Sequence, residues 1–428
     1  MQYPEIHIWD FPPSKTYIRL NDDYREKLIR KYISHFRTNR VAVNHLNNMS
    51  SKYGEQKHYC HGQTANWIRG RIKTKNRNTN VPLWAILEMS MVLANSENAD
   101  NNISREAESN IGFYCGRGYS TNVYGKFPLH LTPELVSAVF HLCGDGFLAD
   151  KPESTSSYRQ VNHQGLMNFA QKLQNSFGHF EMNQNTINNW KILIPRVISD
   201  FYKHYFQLGN LRWNYARIPK SIKAMPKNYL LAGLTSFMID EGHIGDNLEI
   251  YSGNIELLED IREIAMKIGY SCNGPYVKAK TQLRDFRLYI SLKSVIPLSN
   301  DIKELVKEFP TCDFAHKQTS FDMIVKRNNP ASKRGKNGVT KQKILALLSG
   351  KQMSTIELCT QIIISPSTLK EHLRDLEKEG KVKRIITDKK SRPYWQNPKA
   401  FADAGPDREV YYSFPTLLLE LQVLWTSV

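Results

Sequence analysis

The sequence predicts an α+β protein with an internally duplicated middle, flanked by two smaller and more basic segments. Three observations carry this. A helix, strand and helix pattern recurs about 96 residues further along the chain, the mark of an internal repeat. The 428-residue chain holds 58 Lys and Arg against 41 Asp and Glu, a formal charge of +17, divided as +6 over 1–120, +3 over 121–320 and +8 over 321–428. Residues 327–338, RNNPASKRGKNG, are polar, basic and contain Gly and Pro, the composition of a linker. The expected division is therefore 1–120, a first repeat at 121–225, a second at 226–325, a linker at 326–338 and a terminal domain at 339–428. Such a charge points to a polyanion as partner.

Several classes drop out. No run approaches the roughly 18 apolar residues of a spanning helix, and MQYPEIHIWD lacks the basic start and apolar core of a secretory signal, so no membrane partner and an intracellular location are expected. Cys60, Cys115, Cys143, Cys272, Cys312 and Cys359 lie far apart with no CxxC pair, which predicts reduced thiols rather than a zinc site or a disulfide framework.

The first 120 residues read as short helices. DDYREKLIRKYISHF opens with acids and sets Leu28, Ile29, Tyr32, Ile33 and Phe36 on one stripe. VAVNHLNNMSSKYG and QTANWIRGRI follow, then VPLWAILEMSMVL with Pro82 in its first turn. That order predicts an all-α helix-turn-helix unit, similar to small DNA-binding domains whose third helix carries W-x-R-G. From Lys52 to Arg77 there are seven bases against the single acid Glu55. A helix burying Trp67 and Ile68 would offer Gln63, Thr64, Arg69 and Arg71 to DNA.

In the middle, LTPELVSAVFHLCGDGFL (131–148) and PKNYLLAGLTSFMIDEGHI (226–244) are each an apolar helix ending in an acid and a glycine. Aligning Gly146 with Gly242 places Ser137 over Gly233, Gly144 over Asp240 and Asp145 over Glu241. After each comes a strand region, a second helix (LMNFAQKLQNSFG, LLEDIREIAMKIG) and a further strand (NWKILIP, FRLYISL). Small residues such as Ser137, Ala138, Ala232, Gly233 and Ser236 would let the two first helices approach until their C-terminal ends meet. Phe140 and His141 stand where small residues are expected, which predicts a looser pair, with His141 a buried, hydrogen-bonded residue rather than a catalytic one. Asp145 and Glu241 at helix C-termini face the negative pole of the helix dipole, unfavourable by roughly 0.3–1 kcal/mol each. A divalent cation between them would reverse this, and two carboxylates suit Mg²⁺, which also takes water and phosphate oxygens.

These duplicated helices resemble those of the LAGLIDADG homing endonuclease family in its single-chain, two-repeat form. LAGL stands at Leu231–Leu234 and G-D-G at Gly144–Gly146, with FPLHLTPEL before the first helix, ARIPKSI (216–222) before the second and S-x-N-x-E-L-L-E-D-I (252–261) after it. The resemblance spans roughly 122–310. It implies a duplicated αββαββα core whose saddle-shaped antiparallel sheets sit on double-stranded DNA. It implies metal-dependent phosphodiester hydrolysis with Mg²⁺ or Mn²⁺, one acid serving each strand, and a chain that acts as a monomer because the repeat is internal. The ligand set it implies is Asp145 and Glu241, with Gly144 and the competing Asp240 beside them, since in the second copy FMIDEG supplies the helix end. The family pattern also expects a base near each acid, for which Lys191 and Lys280 or Arg287 are the candidates. Saddle contacts expected with DNA are Arg159, His163, Lys191 and Arg196 in the first copy and Lys278, Lys280, Arg284 and Arg287 in the second, with Tyr158, Gln160, Tyr251 and Tyr276 adding polar and aromatic contacts.

The C-terminal third is a winged-helix pattern. Ser354 and Ser365 are N-caps, Glu357 completes a capping box, and Leu369, Leu373 and Leu376 form a buried stripe. Ser367, Thr368, Lys370, Glu371 and Arg374 are left outside to face DNA. Gly380 ends the helix, and Val382, Ile385 and Ile386 start a hairpin with Lys389, Lys390 and Arg392 near its tip. The apolar FPTLLLELQVLW is expected to pack on this domain or to self-associate. Two functions compete: a sequence-specific DNA endonuclease of homing type, and a DNA-binding regulator on a non-cleaving version of the same fold. Charge alone does not separate DNA from RNA, so a splicing helper is a third.

Overall fold

The computed structural model describes residues 3–54, 67, 80–97, 102–117, 120–151, 154–209, 211, 215–277, 286–329, 337–385 and 394–397. It is an α+β protein in two compact units, Met1–Asn328 and Asn329–Val428.

The N-terminal segment is not all-α. Strand β1 (Glu5–Ile6) pairs with β6 (Leu129–His130), and β2 (Thr16–Leu20) lies between β3 (Val81–Pro82) and β4 (Ile111–Gly116). The sheet continues through β5 (Val123–Tyr124) to β9 (His179–Phe180), which belongs to the first repeat. Residue 120 is therefore no domain boundary: one sheet runs across it. Buried Thr16, Ile18 and Leu20 alternate with partly exposed Tyr17 and Arg19, a period of two that a helical reading starting at Asp22 passes over. Helices α1 (Asp22–Phe36), α2 (Asn39–Met49), α3 (Leu83–Glu97) and α4 (Asn102–Ser109) pack around this sheet. Pro82 ends strand β3 instead of opening α3. Cys60 and the DNA contacts expected at Gln63, Thr64, Arg69 and Arg71 lie outside the described residues, whereas Trp67 is buried as expected.

A similar element order then occurs twice, with one more short helix in the first series. The first series is α5 (Pro133–Asp145), β7 (Gly146–Phe147), β8 (Ser157–Arg159), α6 (His163–Phe177), β9, the short α7 (Gln184–Asn188), β10 (Lys191–Leu193) and α8 (Arg196–Tyr205). After α9 (Lys220–Lys223) the second is α10 (Lys227–Glu241), β11 (Gly242–Ile244), β12 (Leu248–Ser252), α11 (Ile255–Lys267), β13 (Cys272–Val277), β14 (Phe286–Ile290) and α12 (Val295–Glu308), and α13 (Gln318–Asn328) closes the unit. The second repeat keeps its strands in one antiparallel sheet, ordered β11-β12-β14-β13. The first keeps three, β10-β8-β7, having given β9 to the N-terminal sheet.

Helices α5 and α10 pack against each other at the centre, buried from Pro133 to Cys143 and from Tyr229 to Ile239. Phe140 does not loosen the pair. A Cβ on Gly233 would stand 2.2 Å from the Phe140 ring, so the ring occupies the space that glycine leaves open. Gly146 and Gly242 are explained by the helix ends: a Cβ there would lie 2.4 Å from the Leu142 Cα and 2.4 Å from the Met238 carbonyl oxygen.

The second unit contains α14 (Asn337–Leu347), β15 (Met353–Ser354), α15 (Thr355–Ile362), α16 (Pro366–Lys378), β16 (Lys383–Ile385) and β17 (Tyr394–Gln396), with the strands ordered β15-β17-β16. Ser354 and Glu357 form the capping box, and Ser365 accepts the Thr368 N–H at 3.0 Å. Leu369, Leu373 and Leu376 are buried, and Gly380 turns the chain at φ +68°. Lys389, Lys390 and Arg392 and the apolar tail lie outside the described residues. Cys115, Cys143, Cys272, Cys312 and Cys359 are free thiols. Among the described residues no helix is long and apolar enough to cross a membrane.

Candidate functional site

The site is built where α5 and α10 end together. Asp145 is the last residue of α5 and is exposed, while Glu241 is the last residue of α10 and is half-buried. Behind them the Asp240 side chain is wholly buried. Its Oδ1 accepts the Tyr158 hydroxyl at 2.6 Å and the Gln160 Nε2 at 3.4 Å, and its Oδ2 lies 2.9 Å from His141 Nδ1. The same Gln160 nitrogen is 3.4 Å from Asp145 Oδ2, so one amide bridges the two repeats.

His141 is buried and bonded, as expected. Its Nε2 lies 3.0 Å from Lys172 Nζ, which also donates to Ser236 Oγ at 2.7 Å. An ammonium has only protons to give, so Nε2 accepts and Nδ1 carries the hydrogen toward Asp240. Burial and then Lys172 hold the His141 imidazole well below its ordinary range, which keeps it neutral. The result is an ordered relay from Lys172 through His141 to Asp240. Gly144 makes room for it: a Cβ there would stand 3.1 Å from both Cβ and Oδ2 of Asp240.

A residue not anticipated from sequence completes the site. Lys317, at the end of a 3₁₀ turn (Ala315–Lys317), donates to the carbonyls of Gly242 at 2.6 Å, Met238 at 3.0 Å and Asp240 at 3.4 Å. A lysine on the last carbonyls of a helix both satisfies them and offsets the dipole. On α10 the unfavourable pole is thus already countered by the chain itself, and an added ion is not required for that purpose.

The three acids remain crowded. Burial and then Asp240 push the Asp145 carboxyl up to about 7, with Lys317 opposing. Asp145 is open to solvent on one side, yet protein surrounds most of its carboxyl, and the direction follows that enclosure. Burial raises Asp240 to about 7 against the Tyr158 hydrogen bond and the charges of Lys172 and Lys317. Burial, Asp145 and Asp240 raise Glu241 to about 7, again against Lys317. Burial lowers Lys317, and the three carboxylates pull it back up.

This donor set fits a hard divalent cation. Asp240 has its oxygens engaged by Tyr158, His141 and Gln160 and is an anchor of the seam rather than a free ligand. Asp145 has only the long Gln160 contact, and Glu241 has no hydrogen bond among the described residues. Two adjacent carboxylates with unused oxygens and a surplus of negative charge are what Mg²⁺ takes from a protein when water and phosphate supply the rest. Among the described residues no group of three or more His, Cys, Asp or Glu is arranged to hold a metal. Gly144 serves as the clearance for Asp240.

The other expected residues divide. Arg159 and Lys191 are cross-strand partners on β8 and β10. Buried Ile192 between Lys191 and Leu193 puts Lys191 on the outward face, beside exposed Arg159 and not at the acids. His163 is exposed at the start of α6. Arg196 is occupied, pairing with Asp200 at 3.1 Å and donating to the Lys151 carbonyl at 2.9 Å. Arg287 lies over the rings of Tyr251 and Tyr289, centroids 5.2 and 5.5 Å away, near Glu249 at 3.8 Å. Lys278, Lys280 and Arg284 lie outside the described residues. Tyr158 and Gln160 point inward to the acids, not outward to a ligand. Strand alternation carried that signal, since both stand on the opposite face from Arg159. On α16, Thr368, Lys370 and Arg374 are exposed.

Residues 339–384 match a helix-turn-helix family described as bacterial regulatory protein, arsR family. No curated protein matches the chain. Among solved structures, a study of mesophilic variants of the homing endonuclease I-DmoI offers a chain 13% identical, covering 40% of this chain and 96% of that one at a TM-score of 0.27. An I-DmoI variant in complex with its target DNA and manganese is 11% identical over 42% of this chain and 96% of that one, TM-score 0.27. A third, with target DNA nicked in the coding strand, is 13% identical over 41% and 98%, TM-score 0.28. Likeness at these scores carries no argument about this chain, whose reading rests on its own residues.

Proposed function

We propose that this chain is a sequence-specific endonuclease of the LAGLIDADG homing type that hydrolyses both strands of duplex DNA. The observation that carries the proposal is the meeting of Asp145 and Glu241 at the ends of two equivalent helices, each with unused oxygens and a carboxyl raised to about 7. A protein that only bound DNA would gain nothing from repelling acids beside phosphates. Asp145 and Glu241 would hold Mg²⁺ or Mn²⁺, which when bound supplies charge stabilisation at the scissile phosphate. Lys317 keeps the second helix end in place and is a base whose charge acts on all three acids, the part assigned from sequence to Lys191 and Lys280 or Arg287. Gln160 orients Asp145 from below, and the Lys172–His141–Asp240 relay sets where α10 ends. Arg159 and Lys191 face outward from the first sheet and Arg287 from the second, positions suited to the DNA backbone and base edges. In the second unit Thr368, Lys370 and Arg374 would add a further reading helix. We place the chain inside the cell, acting on DNA as a monomer.

The match of residues 339–384 to regulators supports a second reading, a DNA-binding regulator that does not cleave. Incubation with a random duplex library and Mg²⁺, followed by sequencing of ends, separates the two. Recurrent double-strand breaks lost in Asp145→Asn and Glu241→Gln are expected. Tight binding with no ends, unchanged in those variants, would overturn cleavage and leave the regulator.

A further inference from the structure

We propose that Trp190 is a base-stacking residue, seated against an unstacked base of DNA where the duplex is distorted. This inference rests on the DNA-binding reading above and deepens it.

Trp190 follows Asn189, the residue that ends α7, and has φ +58°. This is the left-handed position after a helix where glycine is favoured. An L residue is strained there, and a bulky one is a genuine outlier. The backbone is pinned: the Trp190 N–H donates to the Ile187 carbonyl at 2.9 Å, and its own carbonyl accepts the Gln160 N–H at 3.2 Å. The indole is only partly covered by the fold. It is 47% exposed, and among the described residues it makes no hydrogen bond.

Its surroundings indicate the partner. The next residue is Lys191, which stands across from Arg159 on the outward face, and neither base is paired with an acid among the described residues. Val161, one residue beyond Gln160, is 83% exposed. The segment that Trp190 pins is the one whose side chain, Gln160, touches Asp145 and Asp240. An exposed aromatic plane on a segment that also carries unpaired cations is the chemistry that takes up bases of single-stranded or opened nucleic acid. With its backbone bonded to that of Gln160, whose side chain reaches Asp145, it would mark a point at which the bound duplex is distorted.

The test uses the full chain in chelator, with a labelled duplex and the same duplex carrying an unpaired base, titrated at several salt concentrations. The wild type is expected to prefer the duplex with the unpaired base. Trp190→Ala and Trp190→Gly should lose about 5- to 150-fold of that affinity, the equivalent of the roughly 1–3 kcal/mol of one base–aromatic stack. The salt slope should stay the same, because no phosphate contact is removed. Trp190→Phe should retain most of the affinity. Trp190→Gly should melt no lower than wild type, since glycine relieves the left-handed strain, so a loss of binding cannot be ascribed to unfolding. Equal affinity of wild type and Trp190→Gly for the duplex with the unpaired base, or a loss accompanied by a shallower salt slope, overturns the stacking role while DNA binding stands. Failure of the wild type to bind either duplex overturns both.

Discussion

Helices α5 and α10 hold the same place in their repeats and run into the same glycine, yet their last turns do opposite things. At the end of α5, Gly144 has no side chain and Asp145 projects to the surface. At the end of α10, Asp240 occupies the equivalent position, fills the space over Gly144, and is bound by Tyr158, His141 and Gln160. Lys317 then caps α10 through its last carbonyls. The repeat is thus symmetric in backbone and asymmetric in chemistry. This seam holds one buried polar anchor, and a second Asp at 144 would set two carboxylates against each other in a space with one set of donors.

The largest expected effect is on that anchor. Asp240→Ala leaves the His141 and Tyr158 donors without their acceptor and should cost about 2–6 kcal/mol in urea unfolding, about 1–3 kcal/mol for each buried donor left unsatisfied. Gly144→Ala, the matching change on α5, should cost less, about 1–3 kcal/mol, as the Asp240 carboxylate gives way to an extra methyl. Equal costs would contradict the asymmetry. Next is Lys317→Met, which removes charge-assisted bonds to three carbonyls and should lower stability by about 1.5–3 kcal/mol. It should also lower cleavage more than Lys191→Met does. A larger activity loss in the Lys191 variant would return the catalytic base to β10.

A third test follows pH. The carboxyls of Asp145, Asp240 and Glu241 sit at about 7 when folded, above their ordinary values near 4. Between about pH 4 and 7 the folded chain therefore keeps protons that the unfolded chain has released, and stability falls as pH rises through that window and is level above it. In chelator, the urea midpoint of the wild type should drop toward neutral pH relative to that of the Asp145→Asn/Glu241→Gln double variant. Mg²⁺ should recover part of the drop at pH 8 in the wild type only. A wild-type midpoint that climbs against the variant would show the acids to be paired with something else. The smallest effect concerns the helix starts. Thr132 caps α5 by accepting the Leu135 N–H at 3.2 Å, whereas α10 begins at Pro226 with no side-chain cap. Thr132→Ala should cost about 1 kcal/mol, and a Pro226→Ser change should stabilise or be neutral by thermal melting.

Much of this was readable residue by residue. The capping box at Ser354 and Glu357, the leucine stripe of α16, the glycine after each central helix and the pairing of Asp145 with Glu241 are all local patterns or an internal alignment. The N-terminal strands were missed because β2 and β4, which pair with each other, lie far apart in the chain, and because β9, at the edge of their sheet, lies in the first repeat. Lys317 was missed for a related reason. Nothing in AHKQ marks a helix cap, since the helix it caps ended 76 positions earlier at Glu241.

By itself the amino-acid sequence determined what depends on a residue and its near neighbours: helix ends, caps, the period of strands, the repetition, and glycine where a Cβ would strike the preceding turn. Only the tertiary structure decided which of three adjacent acids is free and which is an anchor, which lysine stands at the acids, and that the Phe140 ring fills the gap over Gly233. Those outcomes turn on groups far apart in the chain arriving within hydrogen-bonding or van der Waals distance. Such interactions act over a few ångströms, so a carboxylate's role follows from the donors that packing brings to it.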